Sequence, residues 1–245
     1  MVKVDFDAIA IEALNFRNDC FISSHEPINC KNLLLQLNVL TLYRPLSNNF
    51  SGMCLKSNEK KFILVNSNHS RGRQHFTIAH EFYHLFLEQS FYPHLCNLNN
   101  SLRDNLKEQI ADTFASNLLI PEIGVRKMIP ATEQEEKNIS LSTLLKLEHY
   151  FSVSHLAMLN RLMALKLITK EQFEDYSSVR IKKVAAEYGY DLSLYKSGNE
   201  GIIIGDYGTK ARELFDNEKI SEGFYRELLA DIEVNLTEVD DGEEN

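Results

Sequence analysis

Phe76-Thr77-Ile78-Ala79-His80-Glu81-Phe82-Tyr83-His84-Leu85-Phe86-Leu87 is an apolar run with helical spacing that contains neither Pro nor Gly. On an α-helix, His80 and His84 lie one turn apart on one face, about 40° apart around the axis. That spacing lets two imidazoles reach one tetrahedral Zn²⁺ at about 2.0–2.1 Å. Glu81 projects beside such a metal, where it is placed to take a proton from water. The chemistry indicated is metal-assisted hydrolysis of an amide bond. The plainer alternative is a pair of surface histidines on an amphipathic helix. The apolar flanks argue against it, because this helix packs into something and buried histidines need partners.

A peptidase zinc site needs a third protein ligand and an open position for water. Downstream, Glu108-Gln109-Ile110-Ala111-Asp112-Thr113-Phe114-Ala115-Ser116-Asn117-Leu118-Leu119-Ile120-Pro121 reads as a second helix with Ile110, Phe114 and Leu118 on its packed side and Pro121 closing it. Glu108 and Asp112 share a face. One carboxylate then suits the metal and the other suits the far N–H of a ligand histidine. Glu108 is the favoured ligand, and an ordinary solvated acidic face is the competing interpretation. His94 is the main rival, with Cys96 and His75 also near the motif in sequence. Ser90 occupies the position where a metzincin carries its third ligand, so that class is excluded.

The two segments together resemble the ImmA/IrrE family of metallopeptidases, whose usual form is R-x-x-F-T-x-A-H-E-x-x-H followed by E-x-x-A-[ND]-x-F-A and L-L-x-P. Here these blocks are Arg73–His84, Glu108–Ala115 and Leu118–Pro121, and with the preceding strand the resemblance covers roughly residues 35–125. A weaker likeness extends to about residue 230. The resemblance implies a compact zinc endopeptidase that cuts a helix-turn-helix repressor, often one encoded nearby, and so releases stress-response or mobile-element genes. It also implies that His80, His84 and Glu108 are the metal ligands and Glu81 the general base. One departure is Tyr83, where many members carry Gly. A phenol there is expected to narrow the cleft or to add a hydrogen-bond donor.

The expected fold class is α+β: a zincin-like metallopeptidase core, in which a small β-sheet flanks the motif helix, followed by a mainly helical C-terminal region with a helix-turn-helix-like hairpin. Strands are expected at Val39–Tyr43, Gly52–Lys56 and Lys61–Asn66, with the edge at 61–66 open to a substrate strand. A polar break at 130–138 bounds a peptidase domain, 1–130. A hairpin region, 131–178, a helical region, 179–230, and an acidic, solvated tail, 231–245, follow. The Gly-rich stretch Gly201–Gly208 lacks a phosphate-loop signature and reads as a turn.

Hydrophobic content of 44% and charged content of 25% place the chain among globular proteins. A formal charge of −9 opposes broad contact with nucleic acid. Within 139–176 four basic residues are matched by four acidic ones, so DNA binding by the hairpin at 142–165 is disfavoured. Four cysteines without C-x-x-C spacing, no signal-peptide pattern and no membrane-length apolar run make a cytoplasmic location the expectation. Mn²⁺ and Fe²⁺ compete with Zn²⁺ for such a ligand set. Tyr83, Tyr43, Tyr150, His94 and Arg73 are the chemical candidates for stabilising an oxyanion. The rival function is a non-catalytic binding partner, such as a toxin–antitoxin or repressor-sequestering component, that retains a zinc site.

Overall fold

The computed structural model describes residues 6–57, 60–88, 95–97 and 102–230, with only the backbone described at 95–97 and 102–105. His94 and the acidic tail 231–245 lie outside the described residues. The chain is a mixed α+β protein. Helices α1 (Phe6–Asp19) and α2 (Cys30–Gln36) precede strands β1 (Val39–Arg44), β2 (Phe50–Ser57) and β3 (Lys60–Asn66). Helix α3 (Arg71–Phe82) then runs straight into a π turn, Tyr83–Leu87. Strand β4 (Leu95–Asn97) is followed by α4 (Leu102–Leu119), α5 (Glu122–Met128), α6 (Ala131–Glu136), α7 (Leu141–Phe151), α8 (His155–Ala164), α9 (Lys170–Ser177) and α10 (Ile181–Glu187). A 3-10 turn, Leu192–Tyr195, leads to β5 (Ile203–Ile204), α11 (Tyr207–Asp216) and α12 (Glu222–Ala230).

The sheet has the order β4-β2-β3-β1-β5. Strand β3 runs parallel to β1, from Val39↔Lys61 to Arg44↔Asn66, and antiparallel to β2, from Gly52↔Val65 to Ser57↔Lys60. This corrects the expectation of an open edge at 61–66, because β3 is paired on both sides and has no free ladder to offer. Its near-continuous apolar run is the pattern of an interior strand, and Ile63 and Val65 are wholly buried. A second correction concerns Gly201–Gly208. Ile203 and Ile204 form a short strand against Leu42 and Thr41. A third concerns the polar break at 130–138, which is largely helix α6. There Glu133 accepts hydrogen bonds from Ser140 Oγ (2.9 Å) and Thr143 Oγ1 (3.1 Å), bracing the start of α7.

One apolar cluster extends from Ile9 and Phe16 of α1 through Ile63 and Val65, then Ile78, Phe82, Phe114 and Leu118, to Leu144, Val153 and Leu159. Residues on both sides of position 130 therefore share a core. Close approach of α3 to the sheet depends on Gly52, where a Cβ would lie 2.5 Å from Thr77 Cγ2 and 2.8 Å from Leu64 O. The carbonyl end of α4 is held by two buried arginines. Arg17 of α1 donates from Nη1 to Leu118 O, while its Nε donates to Ser23 O at 2.9 Å and its Nη2 to Glu26 O. Arg161 of α8 donates to Ile120 O at 2.9 Å and to Asn117 Oδ1 at 2.8 Å. Orphan carbonyls at a helix C-terminus favour cationic donors of this kind. Burial lowers the pKa of both guanidinium groups to about 10, so both stay charged at neutral pH.

Helices α7 and α8 meet at Ser152-Val153-Ser154. Ser152 adopts φ 55°, and the Ser154 hydroxyl caps α8 by accepting from Ala157 N. Wholly buried Glu148 joins the pair. It accepts from His155 Nδ1 at 2.6 Å and from Tyr195 Oη at 2.6 Å. His155 Nε2 faces Tyr176 O at 2.9 Å. Both ring nitrogens thus point at acceptors, the arrangement of an imidazolium. Burial opposes the charge, but the hydrogen bond and charge of Glu148 outweigh it and leave the His155 pKa raised.

Candidate metal centre

Helix α3 and the π turn bring His80 and His84 to the face opposite α4. Their Nε2 atoms are 3.2 Å apart. From α4, Glu108 places Oε2 3.2 Å from His80 Nε2 and Oε1 3.7 Å from His84 Nε2. Three ligands held tetrahedrally at about 2.05 Å from one metal would be separated by about 3.3 Å. The observed spacings match that requirement. His80 and His84 are buried, whereas the Glu108 side chain is 23% exposed and leaves the cluster a path to solvent.

The far sides of both rings are also engaged. His80 Nδ1 donates to Asp112 Oδ1 at 2.8 Å, as the shared face of Glu108 and Asp112 leads one to expect. His84 Nδ1 donates to Glu88 Oε2 at 2.9 Å, and Glu88 is ion-paired with Lys107. With Nδ1–H committed to a carboxylate, each neutral ring directs the lone pair of Nε2 at the common point. Two such lone pairs and a carboxylate converging there call for a cation. Burial alone would raise the Glu88 pKa. The hydrogen bonds from Lys107 and His84 outweigh it and hold this group below the usual carboxylate range.

Sequence reading missed Glu88, although the signal was there: it stands four residues after His84, just as Asp112 stands four after Glu108. The π turn, closed by Glu88 N donating to Tyr83 O at 3.0 Å, lies immediately before it. Glu81 is wholly buried on the sheet side of α3, and a Cβ at Gly52 would come within 3.7 Å of its Oε1. The missing side chain of Gly52 thus leaves room for Glu81 between α3 and β2.

The remaining candidates fall elsewhere. His75 Nδ1 donates to Ser152 O at 2.8 Å, and His75 is not in the cluster. His94 lies outside the described residues, as does the side chain of Cys96. The Tyr83 ring stands edge-on to His84 at 5.5 Å and 5.8 Å from Phe114, filling space between the π turn and α4. Burial raises its pKa, with Glu12 and Glu88 adding to the effect, so it remains a neutral phenol. Tyr43 is buried in β1, and Tyr150 is exposed on α7. Arg73 donates to Ser51 Oγ at 3.0 Å, and among the described residues it pairs with no carboxylate. It lines a groove of about 790 Å³ with Phe76, Asp112, Asn117, Leu156 and Asn160, beside the cluster. Cys20, Cys30 and Cys54 are buried, and burial pushes the Cys30 thiol up to about 12.

The chain matches the family model described as the IrrE N-terminal-like domain, Peptidase_M78, over residues 35–163, more than half its length. It belongs to the IrrE N-terminal-like peptidase family. The matched region runs past the metal cluster and takes in α7 and almost all of α8. A peptidase-like domain carrying a His80/His84/Glu108 cluster compatible with metal binding is therefore present. No curated protein matches the chain. Among the described residues, no helix is long and apolar enough to cross a membrane.

Proposed function

We propose that the chain is a metal-dependent endopeptidase, with zinc as the principal cofactor held by His80, His84 and Glu108. The observation that carries this reading is the convergence of those three side chains at metal-ligand spacing, next to a buried glutamate, in a peptidase-family domain. When bound, the metal would supply Lewis acidity that polarises the scissile carbonyl and acidifies water. Glu81 accepts the proton of the attacking water and returns it to the departing amine, so the proton balance closes on one residue. Asp112 and Glu88 hold the histidine rings in register by their Nδ1–H groups. The groove between α3, α4 and α8 receives the substrate chain beside the centre. A small sheet against the motif helix supports a zincin-like plan, with substrate entry on the helical side, since β3 is interior.

The substrate in this proposal is a helix-turn-helix repressor encoded near the chain, and its cleavage relieves repression of stress or mobile-element genes in the cytoplasm. The α7–α8 pair has the short turn of a helix-turn-helix and belongs to a hairpin region, 131–178, that follows the peptidase domain, 1–130, and precedes a helical region, 179–230. His155 and Arg161 of α8 are committed inward, to Glu148 and to the end of α4, which favours a protein substrate over DNA as the partner. The test is co-expression with that repressor, using wild type and Glu81→Gln. Wild type should yield a fragment that disappears on chelation. Glu81→Gln should cut slower by about 10²–10⁴-fold. An intact repressor co-purifying with both forms would replace the peptidase with a binding protein. Metal analysis of the same wild-type preparation reports whether Mn²⁺ or Fe²⁺ takes the place of zinc.

A further inference from the structure

A second polar cavity of about 330 Å³ lies at the opposite end of α3 from the metal cluster, between α2, α3, α7 and the segment 191–199. Lys31, Arg71, His75 and His149 line it, with Asp191 and Asn199. In a chain of net charge −9, the Lys31 ammonium and the Arg71 guanidinium place two positive charges at one cavity and form a local field of the opposite sign. Asp191 only partly offsets them. Its carboxylate already accepts from Ser193 N at 3.0 Å and from the Ser193 hydroxyl.

Two donor-bearing atoms in this wall are buried and have no hydrogen-bond partner among the described residues: Arg71 Nε and His149 Nε2. Buried polar atoms are nearly always satisfied, so two orphans in one cavity wall point to a missing acceptor. The wall is also preorganised. Arg71 lies across Gly198, where a Cβ would sit 2.9 Å from Nε and displace the guanidinium. His149 is stacked on Tyr190 at 4.4 Å and meets Tyr195 edge-on at 5.5 Å. Neighbouring charges report the same crowding of cations: besides its burial, His75 is held below its ordinary pKa by Lys31 and Arg71.

We propose that this cavity binds the phosphoryl group of a small ligand, with Arg71 and His149 donating the hydrogen bonds the protein leaves unmade and Lys31 adding charge. A planar guanidinium beside a lysine ammonium and an imidazole donor is an arrangement that suits phosphate oxygens. The cavity is larger than one phosphate needs, which leaves room for an organic portion beside Asn199. A ligand there would join α7 and the 191–199 segment to α3, the helix that carries His80 and leads into the π turn that carries His84. The site does not depend on the peptidase reading, because its test reads binding and not cleavage.

The experiment is calorimetric titration of the full chain with inorganic phosphate and with ribose 5-phosphate at constant ionic strength. Saturable binding is expected, weakened by about tenfold or more in Arg71→Gln and severalfold in Lys31→Gln. Lys31 is exposed, so its substitution leaves the fold intact even if Arg71→Gln does not. Tighter binding of ribose 5-phosphate would assign an organic phosphate, and equal affinities would assign phosphate itself. Failure of both probes to saturate, or affinities untouched by Lys31→Gln and Arg71→Gln alike, would overturn the proposal.

Discussion

Replacing Glu88 with Gln should weaken zinc binding more than replacing Asp112 with Asn, although Asp112 is the residue visible in the sequence pattern. Both substitutions keep shape and an acceptor oxygen and remove only charge. A charge-assisted hydrogen bond contributes about 1.5–3 kcal/mol against about 0.5–1.5 for a neutral one, so the loss at a buried site is about 1–1.5 kcal/mol, on the order of tenfold in affinity. Glu88 is such a site: its side chain is 7% exposed, and it bridges His84 to Lys107. The Asp112 side chain is 59% exposed, where screening reduces the same change to about two- to threefold. Competition against a chromophoric chelator, with both variants and wild type at one pH, measures these ratios. A larger loss in Asp112→Asn than in Glu88→Gln would refute the reasoning, as would no loss in either.

Arg17→Leu should destabilise the chain by about 3–4 kcal/mol, because the carbonyls of Leu118, Ser23 and Glu26 lose a buried donor together; denaturant unfolding showing less than about 1 kcal/mol would remove Arg17 from its role at the end of α4. His155 predicts a pH effect. Because its folded pKa is raised above 6.5, the ion pair with Glu148 stabilises fully below that value and its contribution is lost as pH rises through the folded pKa. Thermal unfolding should therefore show wild type's advantage over His155→Gln largest in mild acid and shrinking as the solution turns alkaline. An advantage that grows with pH would contradict the ion pair.

Much of the centre was legible because its determinants are local. His80, Glu81 and His84 occupy one helical turn, and Glu108 and Asp112 another, so spacing alone puts each group on a face. Glu88 obeys the same spacing from His84 but sits past a π turn, where the simple helical period no longer describes the chain. Strand order was not legible. Strand β3 pairs with β2, its neighbour in sequence, but its parallel pairing with β1 depends on how the intervening strand packs. The two arginines at the end of α4 were hidden for the same reason: Arg17 reaches a carbonyl 101 residues away and Arg161 one 41 residues away. Acidic α6 read as a break because its polarity serves to brace α7 through Glu133, a role that composition does not distinguish from a loop.

Anomalous diffraction at the zinc edge, from crystals of the wild-type chain grown with zinc, tests the account most directly. One peak per chain bonded to His80 Nε2, His84 Nε2 and a Glu108 oxygen, with Glu81 beside the open position, is the predicted result. A peak with Glu108 turned away and His94 in its place, or no peak within reach of His80 and His84, would contradict it.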